Sequence, residues 1–232
     1  MTSAATVDLW PKGVLFDLDG TLADSFPAIA RALDRALRDT GLPARGLAWV
    51  HCHVGRGSAA LVRDAVGAEA DPDLAVAVER GYAARYREIY LTQTPPLPGS
   101  RDVLRFVSER TGRRVGVVSN KAGELCRAWL EHWGLVAFVG AVSGPDLSGW
   151  RKPDPRAVLP VLSALGLASE QALLVGDMAV DVETARAAGM SVVTVSGPAG
   201  SPASLLAAGA PVVLATLGDL PAWLAGAGRG WS

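Results

Sequence analysis

The stretch Val14-Leu15-Phe16-Asp17-Leu18-Asp19-Gly20-Thr21-Leu22 sets an apolar run directly against two carboxylates, a glycine and a threonine. Gly13 to Phe16 is short and apolar and stops at a Gly-Thr turn, the pattern of a strand covered on both faces in a parallel sheet. Continued along that path, Asp17 and Asp19 emerge on roughly one side of the strand's C-terminal end, because side chains two apart share a face. Two ionised carboxylates about 4 Å apart near a protein surface repel by roughly 4 kcal/mol. A divalent cation relieves that repulsion, and hard oxygen ligands of this kind suit Mg²⁺. The plain alternative is a turn rich in Asp and Gly. The core strand just before the pair favours the cation.

Downstream, Phe26 to Thr40 is amphipathic, with Ile29, Leu33 and Leu37 on one face, Ser25 as the expected N-cap and Gly41-Leu42-Pro43 as the stop. Leu47 to His53, a Gly55-Arg56-Gly57-Ser58 turn, and Ala59 to Val66 continue the helical pattern. A further helix is expected from Asp73 to about Tyr90, opened by Asp71-Pro72. Residues 24–94 thus read as a helical insert without strand signals. Thr94-Pro95-Pro96-Leu97-Pro98-Gly99 closes it as a stiff, extended hinge.

Beyond the hinge, helix and strand alternate. Helix Arg101 to Thr111 precedes strand Arg114 to Val118, and helix Gly123 to Trp133 precedes strand Phe138 to Val142. Helix Pro155 to Leu165 precedes strand Ala172 to Val175, and helix Asp181 to Ala188 precedes strand Ser191 to Val195. Ser201-Pro202 opens another helix, followed by strand Pro211 to Leu214, a helix over Leu217 to Ala225 and an expected loose tail, Gly226 to Ser232. Such alternation specifies an α/β fold with a doubly wound parallel sheet, a Rossmann-like core. The expected division is a catalytic core of residues 1–23 and 95–232 with an inserted α-helical cap domain at 24–94.

The chain has 232 residues, 50% of them hydrophobic and 19% charged, which allows a substantial core. A net charge of −1 without a basic block points away from nucleic acid and from anionic membranes as partners. Cys52, Cys126 and the three histidines form no disulfide or zinc pattern, so a reducing, cytoplasmic setting is expected. The first residues, MTSAATVDLWPKG, lack the features of a signal peptide. The apolar window Leu205 to Gly228 is interrupted by Pro211, Asp219 and Pro221, so it reads as helix, strand, helix and not as a membrane span. The seven tryptophans are read mostly as core, and the expected assembly is a monomer or homodimer. Of 22 basic residues only Lys12, Lys121 and Lys152 are lysines, so each stands against the chain's habit of choosing Arg.

Parallel sheets of this kind bind ligands beyond the C-terminal ends of their strands. Those ends carry Asp17 and Asp19, then Ser119-Asn120-Lys121, and Gly176-Asp177 with Asp181 one turn further on. Ser143-Gly144 ends another strand shortly before Arg151-Lys152-Pro153-Asp154-Pro155. Gathered on one rim, these groups can bind a metal, hold an anionic oxygen group and supply a nucleophile. Taken singly, Ser119-Asn120 reads as a helix cap, Lys152 as a loop residue, Asp181 as the N-cap of its helix and Lys121 as structural.

The segments DLDGT, VVSN, RKPDP and GDMAVD, in this order, resemble the four motifs of the haloacid dehalogenase-like hydrolase superfamily. The helical insert resembles the cap of the subgroup that includes phosphoglycolate phosphatases, and HVGRGSAALVRDAVG within it resembles their glycine-flanked loop and helix. The resemblance implies that Asp17 attacks phosphorus to form an aspartyl-phosphate. It implies that Asp19 protonates the leaving oxygen and then deprotonates the hydrolytic water. Asp17, the Asp19 backbone carbonyl and Asp177 would hold Mg²⁺. Ser119 and the backbone N–H groups near Asn120 and Gly20 would bind phosphoryl oxygens. Lys152 would neutralise Asp17 and the transferring group, with Thr21, Gly176 and Asp181 in support.

Within the superfamily, Asp19 speaks against dehalogenation and against ion pumping, the absence of Lys from 24–94 against phosphonate cleavage, and Ile29 against the β-phosphoglucomutase branch. A phosphatase of small phosphorylated metabolites is the expectation, with 2-phosphoglycolate the favoured substrate. Pyrophosphate or another small phosphate ester, phosphoryl transfer by a mutase, and a non-catalytic binding protein are the alternatives. Gly55, Arg56 and Gly57 would supply substrate specificity from the cap, Arg56 by reading a carboxylate. Arg56 pointing to solvent from an ordinary turn is the competing reading. Met178, and the lack of an aromatic residue in Val195 to Gly200, depart from the subgroup's habit.

Overall fold

The computed structural model describes residues 10–226; the expected tail beyond Gly226 and residues 1–9 lie outside them. The first strand, β1, is Gly13–Phe16. Four helices follow, α1 (Phe26–Asp39), α2 (Gly46–His53), α3 (Ser58–Val66) and α4 (Pro72–Gln93). Then come α5 (Ser100–Thr111), β2 (Val115–Val118), α6 (Gly123–His132), β3 (Ala141–Ser143) and the single turn α7 (Pro145–Ser148). The last third holds α8 (Leu159–Leu165), β4 (Ala172–Gly176), α9 (Ala179–Ala188), β5 (Ser191–Val195), α10 (Pro202–Ala207), β6 (Val213–Leu214) and α11 (Leu220–Gly226).

Among the described residues the six strands form one sheet in the order β3-β2-β1-β4-β5-β6, every neighbouring pair parallel. The strand alternation explains its two covered faces. Val14, Phe16, Val115, Val117, Leu173, Val175 and Val193 point to one side and join the core that also takes in α1, α5 and α6. Leu15, Val118, Leu174 and Val192 point to the other and pack with Val158, Val161, Leu162, Val182 and Leu205. In this order the chain leaves β1 toward β2 on one side and later reaches β4 on the other. The crevice beyond β1 and β4 is therefore the topological switch point where such sheets bind ligands.

The helices between residues 26 and 93 pack on one another through Ile29, Leu33 and Leu37 of α1 and Val78, Tyr82, Tyr86 and Tyr90 of α4, all buried. The three tyrosines recur every fourth residue and stack with centroids 5.6 Å apart. The two crossings between insert and sheet run side by side: Asp24 N donates to Pro95 O and Leu97 N to Leu22 O, both at 2.9 Å.

Several expected boundaries move for local reasons. Ser25 does not cap α1 through its side chain; it already has helical φ −95° and ψ −18°, and Pro27 removes one of the N–H groups a cap would use. The helix expected from Pro155 breaks into a single 3₁₀ turn, Pro155–Ala157, and α8. Pro160, lacking its N–H, belongs to the first turn of the restarted helix. The strand expected at Phe138–Val142 starts later, after a 3₁₀ turn at Val136–Phe138, with Gly140 N donating to Val115 O at 2.8 Å. Of the described tryptophans only Trp129 is buried, its Nε1 donating to Thr94 O at 2.7 Å, while Trp150 is 41% exposed. Trp10, Trp49, Trp133 and Trp223 are partly buried and pack against the core, in keeping with the expectation that most tryptophans belong to it.

Candidate active site

Asp17 follows β1 without leaving the sheet, its N–H donating to Val175 O at 2.9 Å. Its Oδ1 accepts from Leu18 N at 2.7 Å, and its Oδ2 lies 3.0 Å from the Lys152 ammonium. Lys152 Nζ also lies 2.6 Å from Asp181 Oδ1, while Asp181 Oδ2 accepts from Met178 N at 3.1 Å. Asp181 is thus inside the first turn of α9 and not its N-cap. Asp177 directly follows β4, and its Oδ1 accepts from Thr21 Oγ1 at 2.7 Å. Its Oδ2 is buried with no hydrogen-bond partner among the described residues.

Asp17, Asp177 and Asp181 each offer an oxygen, and these atoms all lie within 4.8 Å of one another. The expected metal set named Asp19 through its backbone; its carboxylate turns elsewhere, and Asp181 is the third acid of the cluster. The glycines make this crowding possible. At Gly20, φ +87°, a Cβ would run into the Asp177 carboxylate and the Phe26 ring. At Gly176 a Cβ would strike the Asp181 carboxyl group. The acids thus occupy space that any other residue type at these two positions would fill.

Burial raises Asp17 from 3.8 to about 6, with Lys152 pulling the other way and Asp181 and Asp19 adding to the rise. Asp177 is lifted well above the usual carboxylate range, first by burial and then by Asp17 and Asp181. For Lys152, burial opposes the charge, but Asp17 and Asp181 together outweigh it and hold the ammonium above its usual range. Three acids sharing one lysine carry more negative charge than it neutralises. The donor set, hard oxygens around an orphaned carboxylate atom, fits a divalent cation.

Ser119 and Asn120 follow β2. Ser119 is buried, and its Oγ accepts from Lys121 N at 3.3 Å. Asn120 does not cap α6, whose N-cap is Ala122. It clasps two segments instead: Nδ2 donates to Gly55 O at 2.8 Å and to Lys152 O at 2.9 Å, and Oδ1 accepts from Lys152 N at 2.7 Å. Its side chain thus fixes the segment that delivers Lys152, leaving only its backbone N–H for a phosphate. A cavity of about 430 Å³ opens between this rim and the helical insert, lined among others by Asp17, Asp19, Ser119, Lys121, Tyr86 and Arg151.

A family model for haloacid dehalogenase-like hydrolases matches residues 14–195. A phosphoglycolate phosphatase from Rhodospirillum rubrum is 37% identical over 222 residues, covering 92% of this chain and 91% of that protein. A phosphoglycolate phosphatase from Nitrosococcus oceani is 33% identical over 190 residues, covering 80% of this chain and 84% of its own. The chain belongs to the haloacid dehalogenase-like hydrolases. A crystal structure of a predicted phosphoglycolate phosphatase from Haemophilus somnus shares the fold with a TM-score of 0.84 at 24% identity, covering 91% of this chain and 96% of that one.

Two residues of this hydrolase sit differently from expectation. Arg56 does not line the cavity: its guanidinium pairs with Asp64 at 2.5 Å, and its side chain is 66% exposed. The flanking glycines do face the rim. Gly55 approaches so closely that a Cβ would lie 2.7 Å from Met178 Sδ, so the residue that departs from the subgroup's habit packs against the insert. Gly57 leaves room for Arg151, whose Nη1 donates to Asn120 O at 3.1 Å. Lys121, read as structural, pairs with Asp19 at 2.6 Å. Its rarity as a lysine is a signal in the sequence that marks it.

Proposed function

We propose that this hydrolase cleaves small phosphomonoesters with Mg²⁺ through an aspartyl-phosphate on Asp17, with 2-phosphoglycolate the favoured substrate. The chain is a phosphoric monoester hydrolase by family and by its relatives. The observation that carries the finer reading is the position of Asp17, whose carboxylate belongs at once to the acidic cluster, to the Lys152 ion pair and to the cavity wall.

An Asp17 oxygen attacks phosphorus, forming a P–O bond while the bond to the leaving oxygen breaks. Asp19, on the cavity wall beside it, gives that oxygen a proton and then takes one from the water that releases phosphate and restores Asp17. Ser119 Oγ and the backbone N–H of Asn120 hold the phosphoryl oxygens; the Gly20 N–H, expected to share that task, donates to Ala23 O at 2.9 Å instead. Lys152, buried and kept charged by Asp17 and Asp181, offsets the charge of the transferring group. Bound Mg²⁺ would be held by Asp17, Asp177 and the Asp19 backbone carbonyl and would shield the anionic phosphate from the anionic nucleophile. Thr21 and Gly20 keep the Asp177 carboxylate in place.

Residues 1–23 and 95–232 act as the catalytic core and 24–94 as a cap that closes the cavity. The near-neutral charge supports a small phosphorylated metabolite as partner in the cytoplasm. No helix among the described residues is long and apolar enough to cross a membrane. The test is hydrolysis of p-nitrophenyl phosphate with Mg²⁺. Asp17→Asn should abolish phosphate release while leaving the circular dichroism spectrum unchanged. Retained turnover in that variant overturns the nucleophile assignment.

A further inference from the structure

Lys121 folds back over the site from the end of β2. Its Nζ lies 2.7 Å from Oδ1 and 2.6 Å from Oδ2 of Asp19, and 4.9 Å from the centre of the Tyr86 ring. Only 8% of its side chain is exposed. An ammonium held this way occupies both oxygens of the carboxylate that must reach the leaving oxygen. The pair has to loosen in each turnover, and a buried ammonium left alone is costly. An anion that takes Asp19's place removes that cost.

The cavity supplies the setting for that exchange. Lys121, Tyr86 and Arg151 line it together with Asp17 and Asp19. Tyr86 Oη is buried beside the Lys121 ammonium and the Thr94 hydroxyl. Arg56, the expected reader of a second anion, is engaged with Asp64. We infer that Lys121 reads a carboxylate on the substrate's leaving group and, by exchanging Asp19 for it, frees Asp19 for proton transfer. The inference rests on the phosphomonoester reading above. The exchange swaps one anion for another, so the charge around Lys121 is conserved. Tyr86 Oη donates to the incoming carboxylate. Asp19, released, takes a proton from solvent and passes it to the leaving oxygen as the P–O bond breaks. Lys121 is a positioning residue for Asp19 and the specificity contact for the substrate.

The test compares two unreactive phosphonates in the presence of Mg²⁺, 3-phosphonopropionate with its carboxylate and propylphosphonate without it. By calorimetry the wild-type chain should bind the first more tightly by about tenfold or more, the usual worth of a charge-assisted hydrogen bond. Lys121→Met should lose that preference, and Lys121→Arg should keep part of it. Equal affinities in the wild type, or a preference unchanged in Lys121→Met, overturns the inference. A second readout needs no folded variant. With ¹⁵N-labelled lysine the chain has only three ammonium signals, and the one from Lys121 should move with 3-phosphonopropionate and stay put with propylphosphonate. An identical response to both contradicts the exchange. Hydrolysis of p-nitrophenyl phosphate without any carboxylate preference sinks this inference alone. The preference without phosphate release from any ester sinks the hydrolysis reading alone.

Discussion

Replacing Lys152 by methionine strips the cation from three buried acids and leaves their volume unchanged. At an effective dielectric of about 20, the attraction of Nζ for Asp181 Oδ1 at 2.6 Å and for Asp17 Oδ2 at 3.0 Å comes to roughly 6 and 5 kcal/mol. Desolvation of the charges offsets much of this, and removing one partner of a buried ion pair costs about 3–5 kcal/mol. For a chain of this size each kcal/mol moves Tm by roughly 2–4 °C, so a fall of roughly 6–20 °C is expected. The loss should depend on pH in a fixed direction. Asp17 in the folded chain already titrates at about 6 against an ordinary 3.8. A raised acid binds protons that the unfolded chain has released, so its favourable contribution is complete below about pH 4 and is lost as pH climbs through about 6. Without Lys152 the rise is larger, and mild acid should recover part of the variant's deficit. Urea unfolding in chelator, followed by tryptophan fluorescence at about pH 7 and about pH 5, measures both effects. A deficit under about 1 kcal/mol at neutral pH, or one that does not shrink in acid, refutes the reasoning.

Gly20→Ala should reduce turnover at least about a hundredfold and destabilise the chain by roughly 2–4 kcal/mol, combining the strain of a side chain at positive φ with a clash against Asp177; activity within tenfold of wild type contradicts the cradle. Thr21→Val removes the hydroxyl that donates to Asp177 and should cost about 1–3 kcal/mol in thermal unfolding. Arg56→Ala should leave kcat/KM within about twofold, because its exposed pair with Asp64 is worth under about 1 kcal/mol. A large rise in KM would place Arg56 on the substrate.

The sheet and the acidic rim were legible because each depends on short-range rules. Alternation of Val14 and Phe16 against Leu15 gives a strand covered on both faces, and the switch-point rule carries Asp17 and Asp177 to one crevice. Side-chain direction was not legible. The turn at Gly55 to Ser58 says nothing of Asp64, which draws Arg56 away from the cavity. The pairing of Lys121 with Asp19 spans 102 positions, and the Asn120 clasp joins the insert, β2 and the Lys152 segment. Only tertiary packing specifies such contacts. Boundaries failed where one backbone group decided them, as at Pro27 and Pro160.

Titration of the metal-free chain with Mg²⁺ by calorimetry tests most directly whether Asp17 and Asp177 hold one cation. One ion should bind per chain, with affinity reduced roughly tenfold or more in Asp177→Asn. Equal binding by the wild type and this variant would contradict the account.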